Sequence, residues 1–277
     1  MSEAPFATVL VPTHNHSHLI GYALRSIQAQ AFSDFELFVV GDGAPPATRE
    51  VVASLARSDP RIRYFDMPKG ERHGEENRHV ALQEARGRIV AYCGDDDLWM
   101  REHLTTICRL LRTADFVNTL QVEIYLNGVF NVRLGNLADP ETRKRMLENN
   151  FGFFGLTESA HSMAAYRQLS DGWTPAPVGG PSDQYMFRKF VALPGIRYGS
   201  GAKASAIHLP SPLRTEWSNE ERILELSRFF DRLNAREFRA ELNAAIEKKQ
   251  LAGTKGPSRL LMQAKFACRK AVNRFGL

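Results

Sequence analysis

Three consecutive aspartates, Asp95, Asp96 and Asp97, follow an apolar run and are the most conspicuous candidates for chemistry in this 277-residue chain. Like charges this close repel one another and raise each other's pKa, so the cluster is costly unless a cation neutralises it. Carboxylate oxygens are hard ligands that suit Mg²⁺ or Mn²⁺. The cluster therefore predicts a divalent metal site, with an acidic turn that caps the next helix as the alternative.

Asn15 and Asp42 also follow apolar runs. If they act together with the three aspartates, the strands that precede them must end close to one another. Strand-like and helix-like segments alternate over roughly the first 115 residues, which is typical of an α/β fold with a mostly parallel sheet. Ligands of such sheets bind beyond the carboxyl ends of the strands. We therefore expect one shared crevice. The predicted strands cover residues 6–12, 35–40, 62–67 and 88–93, and the predicted helices cover residues 19–27, 46–56, 75–85 and 101–112.

The pattern changes after residue 115. Asn127-Gly128, flanked by alternating apolar residues, predicts a β-hairpin within residues 122–134. Helical spacing predicts helices over residues 143–147, 183–193, 220–246 and 258–275, of which the third is one long amphipathic helix and the last is basic.

Asp183 is the candidate general base. It stands between a Gly/Pro-rich loop and a predicted helix. The same context suits an N-cap or first-turn aspartate, and a capped helix start would also hold a catalytic carboxylate in place. A base of this kind is what an attacking hydroxyl requires.

The net charge of +5 is unevenly distributed along the chain. The last 30 residues contain eight Lys/Arg and no acid, so the remaining 247 hold 28 basic and 31 acidic residues. Basic and aromatic residues do not interleave in this acidic body, which argues against nucleic acid as a partner. Three scattered cysteines argue against a disulfide framework or a zinc site. An N-terminus without a secretory signal and a lack of long apolar runs predict a cytoplasmic protein.

The runs TVLVPTHN to GDGA and ENRHVALQEARG to GDDDLWMREHL resemble family 2 glycosyltransferases, densely over residues 7–112. The resemblance implies a GT-A fold. It also implies inverting, metal-dependent transfer of a sugar from a nucleotide-diphosphate donor, most simply a UDP-sugar. By the same resemblance, Pro12 and Asn15 lie along the nucleotide. Asp42 accepts the N3–H of a uracil or thymine ring, with a turn aspartate before Gly43 as the alternative. Arg78 faces the nucleotide, with an exposed helix arginine as the alternative.

The resemblance also indicates which groups hold the metal. Asp96 falls on the usual ligand, and Asp95 reaches the ribose or the metal, although Gly94 replaces the first acid of the family's Asp-Ser-Asp-Asp pattern. His208 is a further candidate ligand, with a surface or core histidine as the alternative. Asp97 is expected to cap the next helix instead. The histidines of the first loop, His14, His16 and His18, are expected to be loop residues.

On the acceptor side, Asp183 falls on the family's catalytic base, with Ser182 in place of the usual glutamate. Arg214 and Trp217 are expected in a lid over the diphosphate and sugar. His161 is expected to contact sugar or acceptor, with aromatic packing as the alternative.

We expect residues 1–115 to form the nucleotide-sugar-binding half, residues 116–217 the acceptor half, and residues 218–277 a helical extension. The expected acceptor is a cell-surface glycan or glycolipid. The basic helix over residues 258–275 is expected either to contact a membrane's inner face or to pack on the body. Two rival functions remain, a nucleotidyltransferase and a non-catalytic nucleotide-binding module. A Gly-rich phosphate loop after the first strand, typical of the former, is replaced here by THNHSH.

Overall fold

The computed structural model describes residues 4–149 and 151–253. Its strands are β1 (Ala7–Thr13), β2 (Phe35–Asp42), β3 (Ile62–Met67), β4 (Ile89–Tyr92), β5 (Leu98–Trp99), β6 (Phe116–Asn118), β7 (Gln121–Ile124), β8 (Phe130–Arg133), β9 (Ser159–Ser162), β10 (Tyr198–Ser200) and β11 (Ala206–Ile207). Its α-helices are α1 (Ile20–Gln28), α2 (Pro46–Ala56), α3 (Glu75–Gln83), α4 (His103–Leu110), α5 (Pro140–Glu148), α6 (Met163–Tyr166), α7 (Ser182–Ala192), α8 (Asn219–Arg232) and α9 (Arg236–Gly253).

A central sheet of seven strands, in the order β10-β6-β9-β4-β1-β2-β3, organises the described residues. All its neighbours run parallel except β9, which is antiparallel to both β4 and β6. β2 is buried along its whole length because both faces of the sheet are covered, as in other parallel sheets. The predicted α/β architecture is confirmed.

The carboxyl ends of β1, β2 and β4 lie together at one edge of this sheet. Thr13 pairs in register with Gly41, and Leu10 pairs with Tyr92. The loops that carry Asn15, Asp42 and Asp95 therefore leave the sheet side by side. This confirms that the polar clusters converge on one crevice.

The predicted hairpin forms one wall beside this edge. β7 and β8 pair antiparallel, and Gly128 takes a positive φ of 74° in the turn between them. Val122 and Val132 are buried in a hydrophobic cluster with Leu226 and Phe238 from α8 and α9. The two C-terminal helices thus support the hairpin.

The prediction of one helix over residues 220–246 is wrong, because α8 and α9 are separate helices. Leu233, between them, is buried, and the side-chain Oδ1 of Asn234 accepts a hydrogen bond from the backbone N–H of Arg101 at 3.0 Å. Asparagine is disfavoured in helix interiors, because its side chain readily forms hydrogen bonds with backbone groups outside the helical pattern. The chain therefore turns where Asn234 is tied to the body.

The predicted basic helix over residues 258–275 lies outside the described residues. None of the helices within residues 4–149 and 151–253 is long and apolar enough to cross a membrane.

Candidate active site

A cavity of about 630 Å³ opens at the carboxyl edge of the sheet. Its wall contains many of the residues predicted from the sequence, although they come from six separate segments. These residues are Pro12, Asn15, Asp42, Arg78, Asp95, Asp96, Asp183 and His208. The cavity is therefore the candidate active site.

Asp42 is held rigidly at the end of β2. Its Oδ1 accepts hydrogen bonds from the backbone N–H of Gly70 at 2.6 Å and from Nδ2 of Asn77 at 2.9 Å. Lys69 Nζ lies 2.7 Å from its Oδ2 and is itself half-exposed. The sequence did not lead us to Lys69; its position just beyond β3, beside β2, is the signal that could have identified it. A ligand that bonds to Asp42 therefore meets a carboxylate whose orientation these three partners fix.

Gly74 permits the close approach of the loop to Asp42. Its φ is +68°, and a Cβ atom there would lie 2.4 Å from Cγ of Asp42. We expect Gly74→Ala to lower the free energy of unfolding by about 1–3 kcal/mol and to weaken nucleotide binding, because the side chain must push Asp42 away. Urea unfolding and calorimetry measure these two effects.

Gly128→Ala is the matched control, since Gly128 also has a positive φ but open space around its Cβ position. It should lose stability through backbone strain alone and bind nucleotide normally. Equal nucleotide affinity in the Gly74 and Gly128 variants would contradict the role given to Gly74.

Asp95 and Asp96 meet a histidine from the first loop. His16 Nδ1 lies 2.8 Å from Oδ1 of Asp95 and 3.9 Å from Oδ2 of Asp96. Potential ligand atoms of the three residues all lie within 4.8 Å of one another. Burial and the charges of Asp97 and Asp95 raise the pKa of Asp96. Two carboxylates and an imidazole in this arrangement fit a divalent cation, which would relieve their repulsion.

The placement of His16 corrects its description as a simple loop residue. Asp96 also accepts hydrogen bonds from Ser211 Oγ and, at 2.7 Å, from Arg222 Nη2 of α8. Sequence reasoning missed Ser211 and Arg222, because each is more than 100 positions away from Asp96 and no local pattern connects them.

Asp97 does not cap the next helix, so that expectation is wrong. The two-residue strand β5 follows it, and α4 begins only after Glu102. Both carboxylate oxygens of Asp97 lie 3.0 Å from Nδ1 of His208, and Oδ1 also accepts the backbone N–H of Leu209. Burial tends to lower the pKa of His208, but Asp97 above all raises it to about 10. Asp97 thus orients the ring through Nδ1, but a histidine with this pKa is protonated at neutral pH, so Nε2 must lose its proton before it can bind a metal ion.

Asp183 lies in the first turn of α7 and faces the same cavity. The N-cap of α7 is Pro181, and Asp183 Oδ1 accepts the backbone N–H of Gln184 at 2.7 Å. It is therefore a first-turn acid and not the N-cap itself. Burial raises the pKa of Asp183, opposed by the Gln184 bond and by His208 and Arg78. A carboxylate with a raised pKa is a stronger proton acceptor than an ordinary aspartate.

Arg78 is buried, which rules out the alternative of an exposed helix arginine. Its guanidinium donates to Ser182 Oγ at 3.1 Å and to the carbonyl oxygen of His73 at 2.8 Å, and it lies over the ring of Trp173. Its Nε has no hydrogen-bond partner among the described residues. Arg78 thus ties α3 to the start of α7, next to Asp183.

Three expected contacts on the acceptor side do not line the cavity. His161, on β9, is 1% exposed, and its Nε2 lies 2.8 Å from the Tyr92 hydroxyl. Burial lowers the pKa of His161 to about 4. Arg214 is buried in an ion pair with Glu225, at 2.8 Å between Nη2 and Oε1. Trp217 packs beside Arg214. The alternative of core packing therefore holds for His161, and Arg214 joins the 210–214 loop to α8. The lid role of Arg214 and Trp217 stays a prediction.

Comparison with known sequences shows one family. The description Glycosyl transferase family 2 matches residues 8–171. The GalNAc(5)-diNAcBac-PP-undecaprenol beta-1,3-glucosyltransferase of Campylobacter jejuni is 35% identical over 103 residues, 37% of this chain and 33% of the relative. The UDP-Glc:alpha-D-GlcNAc-diphosphoundecaprenol beta-1,3-glucosyltransferase WfgD of Escherichia coli is 28% identical over 97 residues, 35% of this chain and 37% of the relative. The chain thus matches about a third of the length of these curated relatives.

Solved structures share the fold. S. aureus TarS 1–349 has a TM-score of 0.60 at 19% identity, covering 94% of this chain and 77% of that one. The mannosyltransferase PcManGT from Pyrobaculum calidifontis, in complex with GDP-Man and Mn²⁺, has a TM-score of 0.55 at 19% identity, covering 99% and 82% of the two chains. The predicted GT-A fold is confirmed.

Proposed function

The chain belongs to glycosyl transferase family 2, and on this premise we propose that it transfers a sugar from a UDP-sugar to a hydroxyl of a lipid-linked glycan. We further propose that transfer requires a divalent cation and inverts the anomeric carbon. Family membership favours this function over the nucleotidyltransferase and the non-catalytic module. The observation that carries the proposal is a single cavity lined by Asp42, by the pair Asp95 and Asp96, and by Asp183.

Asp42 would recognise the base of the donor. A uracil ring presents N3–H as a donor, and the oriented carboxylate of Asp42 is an acceptor that matches it. Cytosine has an acceptor at N3, which would repel the carboxylate oxygen that N3–H of uracil attracts. This contrast supports a uridine nucleotide as donor.

Asp95 and Asp96 would hold the divalent cation together with His16, and His208, which Asp97 orients, would be a further ligand. When bound, the cation stabilises the negative charge that develops on the departing diphosphate. The fit rests on the close approach of Asp95, Asp96 and His16, whose potential ligand atoms lie within 4.8 Å of one another; His208 is not one of these three groups.

Asp183 would take the proton of the acceptor hydroxyl. As that oxygen forms a bond to the anomeric carbon, the bond from this carbon to the diphosphate oxygen breaks and its electron pair leaves with the diphosphate. The proton passes to the Asp183 carboxylate. Attack from the side opposite to the departing diphosphate inverts the anomeric configuration.

The acceptor is proposed from the relatives. Both curated relatives act, by name, on undecaprenol-linked saccharides. We propose the same class of acceptor here, a saccharide on a polyprenyl diphosphate, which would bring the enzyme to a membrane surface.

Replacing Asp42 by asparagine tests donor recognition. We expect Asp42→Asn to weaken UDP binding about 10- to 100-fold, because a charge-assisted hydrogen bond worth about 1.5–3 kcal/mol is lost. The preference for UDP over CDP should shrink as well. Calorimetry with UDP and CDP in the presence of Mn²⁺ measures both.

Asp66→Asn is the matched control, since Asp66 is a half-exposed strand carboxylate that pairs with Arg49 outside the cavity. It should bind UDP as the wild-type chain does. Unchanged UDP affinity in the Asp42 variant would refute the assignment of the base-recognition site.

A further inference from the structure

Arg222 of α8 contacts the candidate cation site directly. Its Nη2 donates to Oδ2 of Asp96 at 2.7 Å and to Oγ of Ser211 at 2.9 Å. Its Nη1 lies 3.0 Å from Nε2 of His16. One guanidinium thus contacts two of the three groups that would surround a metal ion.

The side chains of this ion pair are largely withdrawn from water, with exposed fractions of 11% for Arg222 and 12% for Asp96. A carboxylate in such a place is costly unless a cation neutralises it. Arg222 supplies that positive charge. Because like charges at this range repel strongly in a partly desolvated site, Arg222 and a divalent cation would compete for Asp96.

Helix α8 does not depend on Arg222 for its place. Ser218 and Glu221 form a capping box at its start, with the Ser218 N–H donating to Glu221 Oε2 at 2.8 Å. The buried ion pair between Arg214 and Glu225 ties the next turn to the preceding loop. The Arg222 side chain can therefore leave Asp96 while the helix stays.

We propose that Arg222 is a positioning residue: it is the counter-ion of the unloaded cation site, keeps Asp96 and His16 in place, and releases Asp96 when the divalent cation binds. The inference rests on the proposed function, because it concerns the cation that sugar transfer would use. It assigns to helix α8 a direct influence on the metal affinity of the site.

The test is a titration of the metal-free, full-length protein with Mn²⁺ alone, in which free Mn²⁺ is followed by electron paramagnetic resonance. Arg222→Gln removes the competing charge, so this variant should bind Mn²⁺ about tenfold or more tightly than wild type. Arg222→Lys keeps the charge and should stay within about threefold of wild type. Arg222→Met is a second neutral variant, which keeps an unbranched stem and should match Arg222→Gln.

Arg228→Gln is the control on the same helix, since Arg228 is exposed and does not line the cavity. Its Mn²⁺ affinity should equal that of wild type. Neutral Arg222 variants that bind Mn²⁺ no more tightly than wild type would overturn the inference. If Mn²⁺-dependent transfer is intact in that case, the proposed function survives. If neither wild type nor any Arg222 variant binds Mn²⁺, the inference and the proposed metal dependence both fail.

Discussion

Asp183→Asn is expected to lower the rate of sugar transfer by about 10²- to 10⁴-fold, the usual contribution of a general base. The amide keeps an oxygen that can accept the N–H of Gln184, so the start of α7 should retain its structure. It cannot take a proton from the acceptor hydroxyl. Steady-state assays of UDP release at saturating donor and acceptor measure the loss, and calorimetry should show unchanged UDP affinity.

The pH profile gives a second signature of this base. A base acts in its deprotonated form, so transfer is lost as pH falls through the pKa of Asp183. Because burial raises that pKa, the loss should begin at a higher pH than for an ordinary aspartate. The acid limb should be missing in the residual activity of Asp183→Asn.

Asp171→Asn provides the control for Asp183. Asp171 pairs with Lys189 of the same helix α7, but at the surface and away from the cavity. Its variant should transfer sugar at the wild-type rate. Transfer by Asp183→Asn at a rate close to wild type would remove Asp183 from the mechanism.

Asp96→Asn is expected to reduce transfer by about 10²- to 10³-fold, the scale on which loss of one charge-stabilising group reduces catalysis. The physical reason is that a neutral amide replaces the carboxylate assigned to the cation. Chelation of the metal in the wild-type protein should cause a loss at least as large, and added Mn²⁺ should restore the wild-type rate. Transfer assays over a range of Mn²⁺ concentrations measure both effects.

Asp115→Asn is the control for Asp96, because Asp115 forms an ion pair with Arg197 that is remote from the cavity. It should respond to Mn²⁺ as wild type does. Full activity of the wild-type protein after exhaustive chelation would contradict the metal assignment.

The features that the sequence predicted well depend on local patterns. β1, β2 and β4 are short apolar runs that end at or just before polar residues, so Asn15, Asp42 and Asp95 could be assigned to strand ends from the sequence alone. Parallel strands then bring those ends to one edge. The hairpin around Gly128 was similarly evident, because its turn needs a residue that tolerates positive φ.

The features that escaped prediction depend on distant contacts. β9 consists of four residues of mixed polarity, and only its position between β4 and β6 makes it a strand. His16 meets Asp95 across 79 positions, and Arg222 meets Asp96 across 126. The burial of Arg214 could not be predicted either. Arginine side chains are mostly exposed unless they are paired, and no local pattern indicates that Glu225 pairs with Arg214.

The most direct test of the central claim is a transfer assay with a panel of nucleotide sugars. The protein, Mn²⁺ and a polyprenyl-diphosphate-linked saccharide are incubated with each donor, and the lipid-linked product is measured by mass spectrometry. The account predicts that a UDP-sugar extends the acceptor by one residue, with an equal amount of UDP released and no product after chelation. Failure of every UDP-sugar to extend any such acceptor, or equal extension without metal, would contradict it.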